Sequence, residues 1–474
     1  MRVKVNQVEI KMLSLKQVII ITSILITSSC GLINWSAEFD SSRAQNFSRK
    51  KTPSENLVCH KDQEFKTVST FQFYSNSQVT TEIFENLYQR QPFNNYTQEE
   101  LLVSFILLHF ITRPDLIAPN SRLQNFSINH KSHQEGLRLD YQDWSHASLQ
   151  DSLLVFLEQY LASRPSRSLM QIARNIDRFM PSSVQIESEL EQFLQNNSEQ
   201  ILANPMLSAL FSRGNQTLRV GESFSPFNLE ESIKQYRQIV KQEEHSKNNK
   251  AKSLRHLFGP FSESGELKFL NQIGELGTQS IFCNFDLSLY SQGIFLPGPH
   301  SEHTALEIGI FNREIQKSNL VTITTSNIKR KLNRESNLLL AQAKSQKNAQ
   351  KASFCHSLNL ITQTEMIISS SRSRDPGQVL GNFLKKDIFE DPSLDNLKNH
   401  LNLARTIKLS RPLRILYEES RGDSEKLQQL YQKNLPVYYS PKIGSLHIHL
   451  LDPSTQYFGP ILDNRWDMSL KCID

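Results

Sequence analysis

Three short segments gather side chains of the kinds that do chemistry. Residues 446–452 read L-H-I-H-L-L-D, with His447 and His449 two apart and Asp452 three further on. Imidazoles titrate near neutrality, so a histidine near a carboxylate is equipped for nucleophilic or acid–base work. If the segment is a β-strand, both histidines project from one face, because positions two apart point the same way. Upstream, Pro299-His300-Ser301-Glu302-His303 sets two imidazoles and a carboxylate in a loop after Gly298. With a distant ligand such as Asp286 or Glu307 these could hold a divalent ion. An exposed polar loop accounts for the same residues, and no metal or cofactor is expected. The third segment is Ser371-Arg372-Ser373-Arg374-Asp375-Pro376-Gly377-Gln378, lying between a strand and a helix. Arg372 and Arg374 beside the free N–H groups of a helix start form a plausible phosphate site. Asp375 as N-cap with Pro376 at the first helical position explains the segment without any ligand, and the two readings are compatible.

The elements that must position these groups divide at about residue 257. From 81 to 257 the pattern is helical. Thr97-Gln98-Glu99-Glu100 is a capping box ahead of the apolar run 101–111, LLVSFILLHFI, which reads as a buried core helix. Residues 148–162 place Leu149, Leu153, Phe156 and Tyr160 at helical spacing and stop before Pro165. Residues 183–194 and 229–258 look similar. After Gly259 short apolar or alternating runs at 281–290, 305–311 and 320–325 read as strands, followed by a polar helix at 327–351. Strands and helices then alternate, with strands at 366–369, 413–418, 437–439, 446–451, 457–462 and 468–473, and helices at 377–386, 394–406 and 424–432. The expected architecture is mixed α/β: a helical domain (81–257), then an α/β domain (258–474) whose mixed sheet is covered by helices.

The first thirty residues carry an address. Lys11 and Lys16 precede a largely apolar run, 18–26, and small residues Thr27, Ser28 and Ser29 lead into Cys30. Nine helical residues rise only about 14 Å, half of the roughly 30 Å needed to span a bilayer, so the segment is a secretory signal (1–29) rather than a span. Starting at Met12 gives a more compact signal. The cysteine after small residues resembles the lipobox of bacterial lipoproteins, although Thr27 stands where a leucine is usual. That resemblance implies a lipid on Cys30, export, and attachment to a membrane of the cell envelope. Residues 30–80, rich in polar types, then read as a flexible tether whose far end Cys59 pins to the body. With Cys30 lipidated, Cys59, Cys283, Cys355 and Cys472 remain as disulfide candidates, and their three pairings are all open.

From Pro412 onward the order strand, helix, short strand, L-H-x-H-L-L-D, a six-residue gap and Gly459 resembles the C-terminal half of a phospholipase D-like domain. In that family a histidine attacks phosphorus, and a lysine holds phosphate oxygens. The resemblance implies His447 as nucleophile, with Arg372 or Arg374 binding phosphate. His449 stands in the lysine's place, Asp452 sits two residues too close to His447, Pro460 replaces a serine and Leu462 an asparagine. No second copy of the motif is found upstream, and a single-copy protein could build its site as a homodimer.

The net charge of +5 is dispersed and implies no nucleic-acid partner. The most basic stretch, 247–255, reads as a solvated connector. Neither a G-x-S-x-G elbow nor a P-loop, H-E-x-x-H or G-x-G-x-x-G is present. The expectation is therefore a non-enzymatic envelope lipoprotein, held to a membrane through Cys30 and open to an envelope protein partner. The alternative is a degenerate phospholipase D-like phosphodiesterase using His447, His449 and Asp452.

Overall fold

The computed structural model describes residues 56–59, 70–117, 121–130, 138–141, 153–162, 165–246, 279–283, 303–326, 352–373, 375–384, 386–410, 413–422, 424–432 and 436–473. The strands in chain order are β1 (Leu57–Val58), β2 (Phe71–Ser75), β3 (Arg122–Asn129), β4 (Arg138–Tyr141), β5 (Val184–Gln185), β6 (Ser212–Arg213) and β7 (Gln216–Thr217). There follow β8 (Ser223–Phe224), β9 (Gln279–Cys283), β10 (His303–Asn312), β11 (Lys317–Ser326), β12 (Ser353–Asn359) and β13 (Glu365–Ser371). The last are β14 (Thr406–Ser410), β15 (Leu413–Glu418), β16 (Val437–Ser440), β17 (Ser445–Asp452), β18 (Tyr457–Leu462) and β19 (Ser469–Ile473).

Two six-stranded antiparallel sheets dominate, one ordered β1-β18-β17-β13-β12-β9 and the other β19-β2-β10-β11-β3-β4. They pack face to face, and the strand period of two decides which side chains meet between them. In β10, Leu306, Ile308 and Ile310 turn outward into a helical layer, while Glu307, Gly309 and Phe311 turn toward the other sheet. In β17, Leu446, Ile448 and Leu450 face helices Pro376–Phe383 and Leu394–Asn402, leaving Ser445, His447 and His449 between the sheets. The order is thus helices, sheet, sheet, helices. A small mixed sheet, β14-β15-β16, combines an antiparallel and a parallel pair, and two two-stranded ribbons, β5-β8 and β6-β7, lie among the helices.

Helix Gln98–Thr112 begins at the expected capping box: Thr97 Oγ1 accepts from the Glu100 N–H and the Glu100 carboxylate accepts from the Thr97 N–H. It is buried on every side, against β10 and neighbouring helices, which is why its apolar run carries no helical stripe. Among the described residues, no helix is long and apolar enough to cross a membrane.

The division at residue 257 is corrected by the sheets. Strand β3, inside the expected helical unit, pairs with β11, and β2, inside the expected tether, lies between β10 and β19. The two segments therefore share one sheet and one core. Such strands escape a hydrophobicity reading because polar side chains are buried along them: Gln72 and Gln124 toward the other sheet, and Asn125 and Ser127 toward the helical layer. The helix expected at 327–351 and the strand residues beyond Cys283 lie outside the described residues.

Two disulfides brace the frame. Cys59–Cys472 joins the residue after β1 to β19 across 413 positions, pinning the far end of the expected tether. Cys283–Cys355 links directly opposed residues of β9 and β12. Disulfides of this kind persist in oxidising compartments, and they mark the protein as exported.

Candidate functional site

The layer between the sheets is apolar in one part, where Phe126, Ile128, Leu320, Phe354 and Ile367 cluster, and densely polar elsewhere. The polar part has a centre at each end of β17. At the end where β17 begins, which we call the mouth, the Glu307 carboxylate is enclosed. Ser371 and Ser445 donate their hydroxyls to Oε1. Arg372 Nε stands 3.3 Å and His447 Nε2 3.2 Å from Oε2. Strand register builds this arrangement: Ser371 is opposite Ser445 and Ser369 opposite His447, so three donors stand on two adjacent strands and the arginine directly follows one of them. Burial pushes the Glu307 carboxyl up, but nearby His447, then Arg372 and Ser371, outweigh it and hold the group at about 2. Burial, with the Glu307 charge, raises the Tyr74 phenol well above its ordinary value.

The supports of this centre reach back into the helical layer. The Glu307 N–H donates to Asn76 Oδ1 at 3.0 Å. Arg113 donates to the Asn76 carbonyl at 3.1 Å, to Asp115, to Glu187 and to Glu189. Glu189 also lies 3.8 Å from Arg372, whose guanidinium stacks 4.8 Å from the Trp466 ring. Gly309 is required here, because a Cβ would fall 2.0 Å from the Tyr74 ring that separates His447 from His449.

At the other end, Glu365 lies between two histidines, with His130 Nδ1 at 2.5 Å and His356 Nε2 at 2.6 Å. His130 Nε2 reaches Ser318 at 2.8 Å, so this centre also joins the two sheets. Burial raises the Glu365 carboxyl, and the hydrogen bonds from both imidazoles outweigh that and bring it to about 2.

His447 and His449 do share a strand face, but both are buried between the sheets, at 1% and 2% exposure. No hydrogen-bonding group among the described residues reaches either nitrogen of His449. Burial, then the charges of His130 and His447, lowers its imidazole to about 3, so it is neutral near pH 7. Asp452 does not join His447. It closes the turn after β17, accepting from the Ser454 N–H and from the hydroxyls of Ser454 and Thr455. Arg372 is spent on two carboxylates and an aromatic ring, while Arg374 lies outside the described residues. Asp375 caps helix Pro376–Phe383 with Pro376 in its first turn, as expected. Of the other loop cluster, His300, Glu302 and Asp286 are outside the described residues, and Glu307 serves the mouth instead.

Glu307, Glu365, His130, His356, Ser371 and Ser445 were not singled out for these roles. For Glu307 a signal existed: a carboxylate interrupts A-L-E-I-G-I-F at a position alternating with Gly309 and Phe311. A charged residue in an apolar strand must find a partner.

No protein-family model matches the chain, and no curated protein does. Its fold does have solved counterparts. The chain is similar to the structure of LmbA2991T421A at a TM-score of 0.57, with 8% identity over 87% of this chain and all (100%) of that one. It is similar to LmbA2991HD at 0.54, with 8% identity over 86% and 99% of the two chains. At that identity the likeness establishes the mixed α/β sandwich as a shared fold and nothing about chemistry.

Proposed function

We propose that this protein is a lipid-anchored component of the bacterial cell envelope, using the two-sheet sandwich as a scaffold rather than as an enzyme. The observation that carries the reading is the disposition of the cysteines. Five are present in the sequence, and four of them close two disulfides. The fifth is Cys30, which follows the apolar run and small residues of a signal segment and stands in the lipobox position. The one cysteine outside the two bridges thus stands where a lipobox cysteine is acylated. A diacylglyceryl group on that cysteine supplies two acyl chains, enough to hold a folded body stably at a membrane surface.

The non-enzymatic half of the reading is supported by the two polar centres. Glu307 with His447 and Glu365 with His130 are turned onto one another, and all four are buried. Phosphoryl transfer through His447 requires Asp452 and a basic group beside it in an open cleft; Asp452 instead serves its own turn.

The test is intact mass and detergent partitioning of the full-length protein expressed in a bacterial host, beside Cys30→Ala. A mature chain that starts at Cys30, carries a diacylglyceryl mass and loses both in the variant is the expected result. An unmodified chain, or identical partitioning of the two, overturns the anchor.

A further inference from the structure

The four groups around the Glu307 carboxylate do not come from the strand that carries it. Ser371, Arg372, Ser445 and His447 all belong to the β13–β17 side, whereas Glu307 belongs to the facing sheet. The cradle is also held together without its occupant. Ser371 and Ser445 are register partners with their hydroxyls 3.1 Å apart. Arg372 is placed by Trp466 at 4.8 Å and Glu189 at 3.8 Å, and Trp466 in turn donates to the Gly444 carbonyl at 3.0 Å. Two hydroxyls donate to one oxygen, and a guanidinium and an imidazole stand within ion-pair distance of the other, a surrounding suited to a carboxylate rather than to a spherical anion. Beyond its Cβ, the glutamate side chain is a CH₂ and a carboxylate, which is the size and charge of acetate.

We propose that the mouth is a binding site for a small monocarboxylate, kept closed in this chain by its own Glu307 acting as an internal ligand. The site is preorganised on one sheet and filled from the other, so removing the glutamate side chain uncovers it. It discriminates by charge and by planar geometry. Formate and acetate satisfy both oxygen positions, while chloride supplies charge without the second oxygen.

The experiment is thermal unfolding of full-length Glu307→Ala in detergent, titrated with sodium formate or sodium acetate against sodium chloride at equal ionic strength. The expected result is a saturable rise in Tm of roughly 3–6 °C at a hundredfold excess over Kd, absent in the parent protein and abolished by adding Arg372→Ala. Glu307→Gln, which refills the space, should show no response. If Glu307→Ala does not accumulate folded, its refolding yield from urea in acetate and in chloride reads the same question. A higher yield in acetate supports the site. No carboxylate-specific response in either measurement, or an equal response of the parent protein, overturns it.

Discussion

The two buried carboxylates, Glu307 at the mouth and Glu365 at the opposite end of β17, are alike in burial and in being held at about 2, yet they are built from different partners. Glu307 faces a guanidinium, an imidazole and two hydroxyls. Glu365 faces two imidazoles. A guanidinium stays charged at any pH a protein survives, whereas an imidazole can release its proton. Equal acidity does not mean equal dependence. Losing the first carboxylate takes from a permanent cation its buried partner and leaves it the more exposed Glu189, whereas losing the second removes the acceptor shared by two imidazoles.

Replacing each carboxylate tests that contrast directly. Glu307→Ala should cost roughly 3–5 kcal/mol of unfolding free energy, the usual effect of breaking one side of a buried charge pair. Glu365→Ala should cost less, about 1–3 kcal/mol, the range for stranding hydrogen-bonding groups. Urea denaturation of the two variants side by side checks the order, and equal losses would dissolve the distinction.

Next in size is the contrast between the disulfides. Opening the 413-residue span of Cys59–Cys472 should cost about 1.5 kcal/mol more than opening the 72-residue span of Cys283–Cys355, from the loop-length dependence of chain entropy. Paired Cys→Ser variants at each bridge, melted under the same conditions, supply the measurement.

A further contrast is set by pH. Glu307 and Glu365 bind protons less readily folded than unfolded, so their stabilisation is complete above about pH 4.5 and is lost as pH falls toward 2. His449 and His109, lowered from 6.5 to about 3, are neutral when folded and take up protons on unfolding, so stability declines as pH falls below about 6.5. The window from pH 6.5 to 4.5 therefore isolates the buried histidines from both carboxylates. His449→Leu should flatten the fall in stability across that window while leaving the fall below pH 4.5 in place. An unchanged slope above pH 4.5 would exclude His449 as its source.

Where the sequence signal was local, it matched the structure. The Thr97 capping box, the Asp375 cap with Pro376, and the strand that sets His447 and His449 on one face depend only on near neighbours. Strands β2, β3 and β12 were not legible as such, because buried polar residues break their apolar pattern: Gln72 in β2, Asn125 and Ser127 in β3, and Ser353 and Ser357 in β12. For the same reason the candidate site was read only in part. His447 and Arg372 were named for a phosphate, but their partner is a glutamate 65 or more residues upstream, and no spacing rule connects positions that meet only through sheet packing.

The Cys59–Cys472 bridge has a consequence for what a protease can achieve. A cut in any segment between these two cysteines makes two polypeptides of one, yet both remain on the same molecule, joined near its two extremities. Strand β19 is moreover hydrogen-bonded to β2, so the last residues and the early ones share a ladder as well as a covalent link. Such a nicked protein runs as two bands only after reduction, and neither fragment is shed from whatever surface holds the N-terminal end.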